Sequence, residues 1–261
     1  MRIKRNKKVL LVVALLLLVL ILAGCGNVDS DITAESEGIW DSFFVYPLSW
    51  LIQTVAKFFA GSYGWGIIIV TLLIRLLLVP LNVKQLKSTQ AMQEIQPKIK
   101  ELQAKYSSKD AKTQEKLQQE QMVLFKEHNV NPLAGCLPMF VQMPIMIALY
   151  QAIRRTPGLQ EGVFLWFELS EPDPYYILPL IAAGATFLQQ RLTMAGAGAG
   201  QAAANPSMSM MMYMMPVMIG VMSMFFPAAL SLYWVVGNVF MVLQTIFIRK
   251  PFKFQQKVGG N

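Results

Sequence analysis

Five apolar segments, each close to the length that a helix needs to cross a bilayer, constrain this chain more than any other feature. A spanning helix takes about 20 apolar residues to cross roughly 30 Å of hydrocarbon. The chain is 54% hydrophobic and only 15% charged, whereas about 25% of the residues in a soluble domain are charged. We therefore predict an all-α membrane protein with five transmembrane helices, at residues 64–83, 132–152, 174–190, 209–226 and 227–248.

A basic start and a short apolar run precede these segments. "MRIKRNKK" contains five basic residues and no acid, and the apolar run that follows ends in "LAGC". This order is typical of a secretory signal peptide over residues 1–24. Its ending resembles the lipobox of bacterial lipoproteins, which implies cleavage before Cys25 and a lipid on its thiol. An uncleaved anchor helix is the alternative. Loss of residues 1–24 removes those five charges and lowers the net charge from +8 to +3, so the charge does not indicate a nucleic-acid partner.

Two segments lie between Cys25 and the first predicted span. Residues 25–39 are rich in Asp, Glu, Ser and Gly, which is typical of a flexible external tether. Residues 40–60 place apolar side chains at helical spacing, with Trp40 and Trp50 suited to the membrane interface. We predict an external amphipathic helix lying along the membrane surface. A helix packed on the bundle is the alternative.

The charges of the connecting segments predict the orientation. Residues 84–130 carry nine Lys and six acids, and residues 249–261 carry four basic residues and no acid. Residues 26–60 carry five acids and one Lys, and residues 153–173 carry four acids and two Arg. Because basic segments stay on the cytosolic side, we expect the N-terminus outside, the loop 153–173 outside and the basic tail in the cytosol. The other cytosolic loop, 191–208, is nearly uncharged.

The segment 84–130 differs in composition from the predicted spans. It is rich in Lys, Gln and Glu, with periodic apolar residues, and "SSKD" at 107–110 interrupts it. Serine or aspartate at that point can cap a new helix, and Pro97 can bend or begin part of the first one. We predict two amphipathic helices that form a cytosolic helical hairpin.

The chain offers little of the chemistry that enzymes use. His128 is its only histidine, and neither G-x-S-x-G, HExxH nor a phosphate-binding glycine loop occurs. We therefore predict no catalytic activity, no metal site and no cofactor. The predicted spans contain no Asp or Glu, whereas proton-coupled transporters generally carry an intramembrane carboxylate.

Arg75, in "TLLIRLLLVP", is the one basic residue inside a predicted span. It lies nine residues before Lys84, so its Cα is about 13 Å from the cytosolic boundary at 1.5 Å per residue. A cation at a helix centre costs roughly 2.5–3.5 kcal/mol on insertion scales. Its side chain either reaches the interface or faces a hydrated intramembrane cavity, and the depth favours the cavity.

Other predicted spans offer polar side chains that could line such a cavity. On the last span, Trp234, Asn238 and Met241 share one helical face, with Gln244 on its flank. Hydrogen bonding between helices is the alternative for each polar residue. The candidates are Gln142, Thr186, Gln189 or Gln190, Ser231, Trp234, Asn238 and Gln244.

Four separated motifs resemble the YidC/Oxa/Alb family of membrane protein insertases, in the short Gram-positive lipoprotein form. They are "SYGWGIIIVTLLIRLLLVPLNVKQLKS", "NPLAGCLPMFVQMPI", "FLWFELSEPDPYYILP" and "PAALSLYWVVGNVFMVLQT". The resemblance implies five transmembrane helices around a hydrophilic groove that opens to the cytosol and the lipid. It implies that Arg75 receives acidic or polar segments of nascent membrane proteins. Gln142, Gln189, Trp234 and Gln244 match groove-lining positions by local motif.

The resemblance also implies partners and a location. It implies a chaperone and insertase in the bacterial cell membrane, with the hairpin recruiting substrates, ribosomes and the Sec translocon as candidate partners, and a monomer as the sufficient unit. A small-solute channel or transporter is one rival interpretation, and a structural lipoprotein scaffold is another. An insertion assay with purified protein and one labelled client separates the three.

Overall fold

The computed structural model describes residues 30–107, 110–128, 130, 137–194 and 206–258, so the predicted signal peptide, Cys25 and most of the loop 191–208 lie outside the described residues. The first element among the described residues is a π-helical turn, Asp41–Val45, which leads into α1. The helices are α1 (Tyr46–Phe58), α2 (Tyr63–Leu77), α3 (Val79–Glu94), α4 (Gln96–Lys105), α5 (Ala111–Glu127), α6 (Leu137–Arg155), α7 (Pro157–Gln160), α8 (Ile177–Met194), α9 (Pro206–Ser223) and α10 (Ala228–Val258). Between α7 and α8, β1 (Val163–Phe164) pairs antiparallel with β2 (Phe167–Glu168), so the described fold is helical apart from this short hairpin.

Length and composition mark one clear membrane span among the described residues, Ala228–Ile248 within α10. Helices α2 and α3 meet the same test only together, and they are bent by 61° at their junction. The arrangement of five spans around a groove therefore stays a prediction. Helix α10 continues through residues 249–258, which the sequence assigned to a separate basic tail.

The helix predicted at 64–83 is interrupted in the structure. Helix α2 ends at Leu77, and α3 begins at Val79 with Pro80 in its first turn. Proline has no amide hydrogen, and its ring clashes with the carbonyl four residues earlier. The sequence interpretation carried the helix straight through this proline, whereas the chain bends there and α3 leaves at a different angle.

An apolar core joins α1, α2, α6 and α10. Its fully buried members include Ile52, Ile67, Ile153 and Leu230. A cavity of about 10 Å³ lies in this layer, bordered mainly by Ile, Leu and Val side chains with Thr71 and Tyr233. That volume holds about one water molecule, so the core is closely packed just beside the polar residues described below.

The segment predicted as a flexible tether packs on the end of α6 where the structure describes it. The Ile32 amide donates to the Arg155 carbonyl (2.8 Å), and Arg155 Nε donates to the Ser30 carbonyl (2.8 Å). Trp40 Nε1 donates to Gln151 Oε1 (2.7 Å). Composition alone suggested mobility, but the side chain of Ile32 is buried and these hydrogen bonds hold the segment in place.

Helix α1 packs on the bundle, which is one of the two alternatives considered for residues 40–60. Ser49, Ile52 and Ala56 lie on one face, are buried, and pack against the bundle. Trp50 and Phe58 lie on the other face and are exposed. An apolar exposed face of this kind suits a helix that also contacts the membrane surface.

The helix cap predicted at "SSKD" is confirmed, whereas the region predicted as two helices contains three, the end of α3, α4 and α5. Asp110 Oδ1 accepts a hydrogen bond from the Thr113 amide (2.9 Å) and caps α5, while Pro97 lies in the first turn of α4. Ile95, Ile99 and Val130 form a small apolar core between the two helices. Gln93 Nε2 donates to the Thr193 carbonyl (3.3 Å), which ties α3 to the end of α8.

Candidate functional site

Arg75 lies in the last turn of α2, five residues beyond the core residue Val70. Its side chain is half-buried, and its Nε is fully buried with no hydrogen-bond partner. Arg75 makes no ion pair with any residue that the structure describes. A buried donor without a partner costs about 1–3 kcal/mol, and more for a charged group. The described part of the fold thus holds a cation with at least one donor that none of its residues satisfies.

Helix α10 provides the surface on which the Arg75 guanidinium lies. Its Cζ is 5.5 Å from the centre of the Tyr233 ring, a distance at which a cation and an aromatic ring attract each other. Gly237, one turn further along α10, approaches the guanidinium so closely that an added Cβ would lie 2.5 Å from Arg75 Nη2. Tyr233 and Gly237 are four residues apart and therefore share one face of α10.

Gln142, on α6, contacts the tyrosine that lies beside Arg75. Its Nε2 donates to the Tyr233 hydroxyl (2.7 Å), and Tyr233 itself is only 1% exposed. The structure therefore brings two of the predicted site residues, Arg75 and Gln142, to opposite sides of one tyrosine. The hydrogen bond fixes the ring that borders the guanidinium.

Gln244 lies two turns further along α10, beside the break between α2 and α3. Its Nε2 is 3.5 Å from the Val79 carbonyl, and its Oε1 is buried without a partner. Asn82 Nδ2 donates to Met241 Sδ (3.4 Å) on the same side of α10. Gln244 Oε1 is thus a second buried polar atom without a partner, two turns along α10 from the contact with Arg75.

The remaining predicted residues face α8 and α9 or pack in the core. Trp234 is buried and meets Phe226 edge to face at 6.3 Å. Asn238 Nδ2 donates to Thr186 Oγ1 (2.7 Å) and joins α10 to α8. Gln190 is buried against Met215, whereas Gln189 is half-buried and bonds Thr193 within its own helix. Ser231 is buried near the Ser223 carbonyl.

Sequence reasoning missed Tyr233 and Gly237. It chose the face of α10 that carries Trp234 and Asn238, which in the structure meets α8 through Thr186. Successive residues of a helix are about 100° apart, so Tyr233 and Gly237 lie on a neighbouring face, and that face packs against α2. A glycine in the middle of an apolar helix is a signal of close approach by another group, and Gly237 could have been singled out on that ground.

The chemistry of this site is that of a receptor for anions and polar groups. The described residues contain no cluster of three or more His, Cys, Asp and Glu side chains that could hold a metal ion. The site consists of the permanently charged guanidinium of Arg75, the ring of Tyr233, and the side-chain amides of Gln142 and Gln244. The Gln244 Oε1 accepts no hydrogen bond from a described residue. A carboxylate or a peptide carbonyl can accept hydrogen bonds from the guanidinium, and a hydroxyl or an amide N–H can donate to Gln244 Oε1.

Comparisons with known proteins agree with one another. The model of the 60Kd inner membrane protein family matches residues 54–257. The chain is 57% identical over 248 residues to the membrane protein insertase YidC of Oceanobacillus iheyensis, covering 94% of this chain and 98% of that protein. It is 55% identical over 232 residues to the membrane protein insertase MisCA of Bacillus subtilis, covering 89% of this chain and 87% of the relative.

A solved structure shows the same fold. A crystal structure of active YidC insertase with its first transmembrane domain resolved superposes with a TM-score of 0.63 at 27% identity. The match covers 80% of this chain and 47% of the solved one, so this chain spans about half the length of that protein.

Proposed function

Since this chain belongs to the 60Kd inner membrane protein family, the family of the YidC membrane protein insertases, we propose that it inserts client membrane proteins by receiving their acidic or polar segments at Arg75. The family places the chain in a bacterial membrane. The client's polar segment enters a hydrated groove around Arg75, and its apolar segment leaves into the lipid. No covalent step is needed.

The observation that carries the proposal is the unused bonding capacity of Arg75. No acid that the structure describes pairs with Arg75, and its Nη1 and Nη2 donate no hydrogen bond to a described residue. The Nη1–Nη2 edge of the cation is therefore available to a visiting carboxylate, whereas the buried Nε faces α10. A structural arginine that only tied helices together would have used its donors on carbonyls or acids of the bundle.

The free-energy balance of insertion favours such a groove. Each unsatisfied polar group in hydrocarbon costs several kcal/mol, so a polar site partway across shortens the dry path for the client. Transfer of the client's apolar segment into the lipid is favourable by roughly 25 cal/mol for each Å² of apolar surface removed from water. The membrane potential adds about 2.3 kcal/mol per 100 mV for each negative charge that moves outward.

The apolar core supports a groove that is closed on one side. The layer of Ile52, Ile67 and Val70 lies between Arg75 and the end of the bundle that carries the β1–β2 hairpin. In the orientation predicted from loop charges, that end is external. Clients then approach Arg75 from the cytosol or laterally from the lipid. The α4–α5 hairpin lies on the cytosolic side of this orientation.

The proposal includes the attachments and partners predicted from the sequence. Cys25 carries a lipid outside, the C-terminus lies in the cytosol, and five helices surround the groove. Gln142 and Gln244 line it, with Gln189 and Trp234 at its margin. Nascent chains arrive from ribosomes or beside the Sec translocon, and one copy of the chain is sufficient to act as insertase and chaperone.

An insertion assay tests this function. The full-length chain is reconstituted in vesicles, a labelled client with an acidic tail is added, and protection of the tail from external protease is measured. Arg75→Ala should lower protection by about tenfold, the size of one charge-assisted hydrogen bond, and Arg75→Lys should keep much of it. Full protection with Arg75→Ala would contradict the proposal. Flux of small solutes through the same vesicles would favour a channel, and neither activity would favour a scaffold.

A further inference from the structure

Gly237 faces one particular edge of the Arg75 guanidinium. A Cβ built on Gly237 would lie 2.5 Å from Nη2, 2.9 Å from Nε and 3.0 Å from Cζ. Both nitrogens of the Nε–Nη2 edge are thus nearer to the added Cβ than the central carbon Cζ is. A group placed over the flat face of a guanidinium would be nearest to its central carbon, so Gly237 lies in front of the edge.

This edge is one of the two on which an arginine receives a carboxylate with two parallel hydrogen bonds. Nε alone of the three guanidinium nitrogens is fully buried and unpartnered in the described part of the chain. The backbone of α10 occupies the approach to it. In the part of the chain that the structure describes, no residue accepts a hydrogen bond from the other edge, formed by Nη1 and the outer side of Nη2, so this is the edge that a ligand can use.

We propose that Gly237 is a positioning residue, which seats the Nε–Nη2 edge of Arg75 against α10 so that a client carboxylate is received end-on at Nη1 and Nη2. This inference rests on the proposed function of Arg75. Tyr233 completes the seat, because its ring borders the guanidinium 5.5 Å from Cζ and its hydroxyl is fixed by Gln142.

The substitution Gly237→Ala separates this role from a role in folding. The atoms that a new Cβ would meet belong to the end of a long side chain, which can move away without disturbing the helices. Alanine is also a better helix former than glycine in a helix interior. The variant should therefore fold with an unchanged or higher melting temperature, but with its guanidinium displaced from the seat.

Two matched substitutions provide the controls. Gly184→Ala makes the same chemical change in α8, where nothing lies within 4 Å of the added Cβ. Arg75→Lys replaces the planar guanidinium by a compact ammonium, which has no Nε–Nη2 edge to seat. The effect of Gly237→Ala should largely vanish in the Arg75→Lys and Arg75→Ala backgrounds, because the displaced group is no longer there.

The experiment compares two clients, one with an acidic tail and one whose tail acids are replaced by their amides, in vesicles that contain each full-length variant. Gly237→Ala should lower insertion of the acidic client by about threefold, less than the loss in Arg75→Ala because the charge is displaced and not removed, with little change for the amide client, while Gly184→Ala changes neither. Equal losses for both clients, or a loss that persists without Arg75, would indicate general damage to the fold and overturn the proposal. Wild-type insertion by Gly237→Ala would also overturn it, whereas wild-type insertion by Arg75→Ala would overturn the proposed function itself.

Discussion

Arg155 and Asp41 form a two-point ion pair, with Nη2 2.8 Å from Oδ2 and Nη1 2.9 Å from Oδ1. Arg155 is 5% exposed and Asp41 18% exposed. The pair joins the last residue of α6 to the π-helical turn ahead of α1, and Arg155 also holds the segment around Ser30. The N-terminal part of the described chain is therefore anchored by charge as well as by apolar contact.

We expect Asp41→Asn to destabilise the protein by about 2 kcal/mol, because it leaves a nearly buried guanidinium without its counterion. Fully buried pairs lose about 3–5 kcal/mol when one partner is removed, and the partial exposure of Asp41 reduces that value. Unfolding in detergent measures the change. Glu35→Gln is the control, since it removes the same charge from an exposed side chain in the same segment; an equal effect of both variants would contradict the prediction.

Tyr233 and Gln142 should be energetically coupled. Tyr233→Phe removes the acceptor of the Gln142 Nε2 hydrogen bond but keeps the ring beside Arg75. In a double-mutant cycle with Gln142→Leu, we expect a coupling of about 0.5–1.5 kcal/mol in the free energy of unfolding, the usual net value of one hydrogen bond. Additive effects within about 0.3 kcal/mol would show that the two side chains act independently.

Gln244→Leu should reduce insertion activity without changing the stability of the fold. The Gln244 Oε1 is already buried without a partner, and its Nε2 makes only a long contact with the Val79 carbonyl. Replacing such a group by an apolar side chain of similar shape is nearly neutral for folding. We expect an unchanged melting temperature and reduced insertion of a client with a polar tail. Reduced stability with normal insertion would instead assign Gln244 to helix packing.

Pro80→Ala should partly straighten the junction between α2 and α3. The substitution restores an amide hydrogen in the first turn of α3 and removes the ring that forces the 61° bend. Helix α3 is about 24 Å long, so a 20° change moves its far end by on the order of 8 Å. Distances between spin labels at Lys57 and Glu101, in a chain without native cysteines, measure the shift. Pro157→Ala, in the first turn of α7, should leave these distances unchanged.

Cys25→Ser should abolish lipid attachment. The sequence "LAGC" resembles a lipobox, and the thiol is the group that would carry the lipid. Metabolic labelling with a radioactive fatty acid should mark the wild-type chain and not the variant, and the variant should migrate as the longer, uncleaved chain. Cys136→Ser is the matched control, and labelling that followed Cys136 instead would contradict the assignment.

Features that depend on local sequence could be predicted here. "SSKD" followed by a helical pattern predicted the cap that Asp110 provides, because capping involves only residues close in the chain. Arg75 could be singled out for a similar reason, since a lone cation in an apolar segment is visible without any neighbour.

Features that depend on how helices face one another could not be predicted. Helix α10 packs between α2 and α8, and it presents polar or small residues to both: Gly237 to Arg75 and Asn238 to Thr186. A periodic pattern identifies faces but not their partners. The sequence interpretation therefore named Trp234 among the residues lining the cavity and left out Tyr233, whose ring lies beside Arg75 in the structure.

The closely packed layer next to Arg75 has a consequence for the energy supply of the cell. Its cavity accommodates about one water molecule and is bordered mainly by aliphatic side chains, so this cavity is too small to hold a file of waters that conducts protons. In the proposed orientation, a layer packed in this way keeps the hydrated surroundings of Arg75 from adding to proton leakage, and the cell can hold many copies without draining the gradient that drives ATP synthesis.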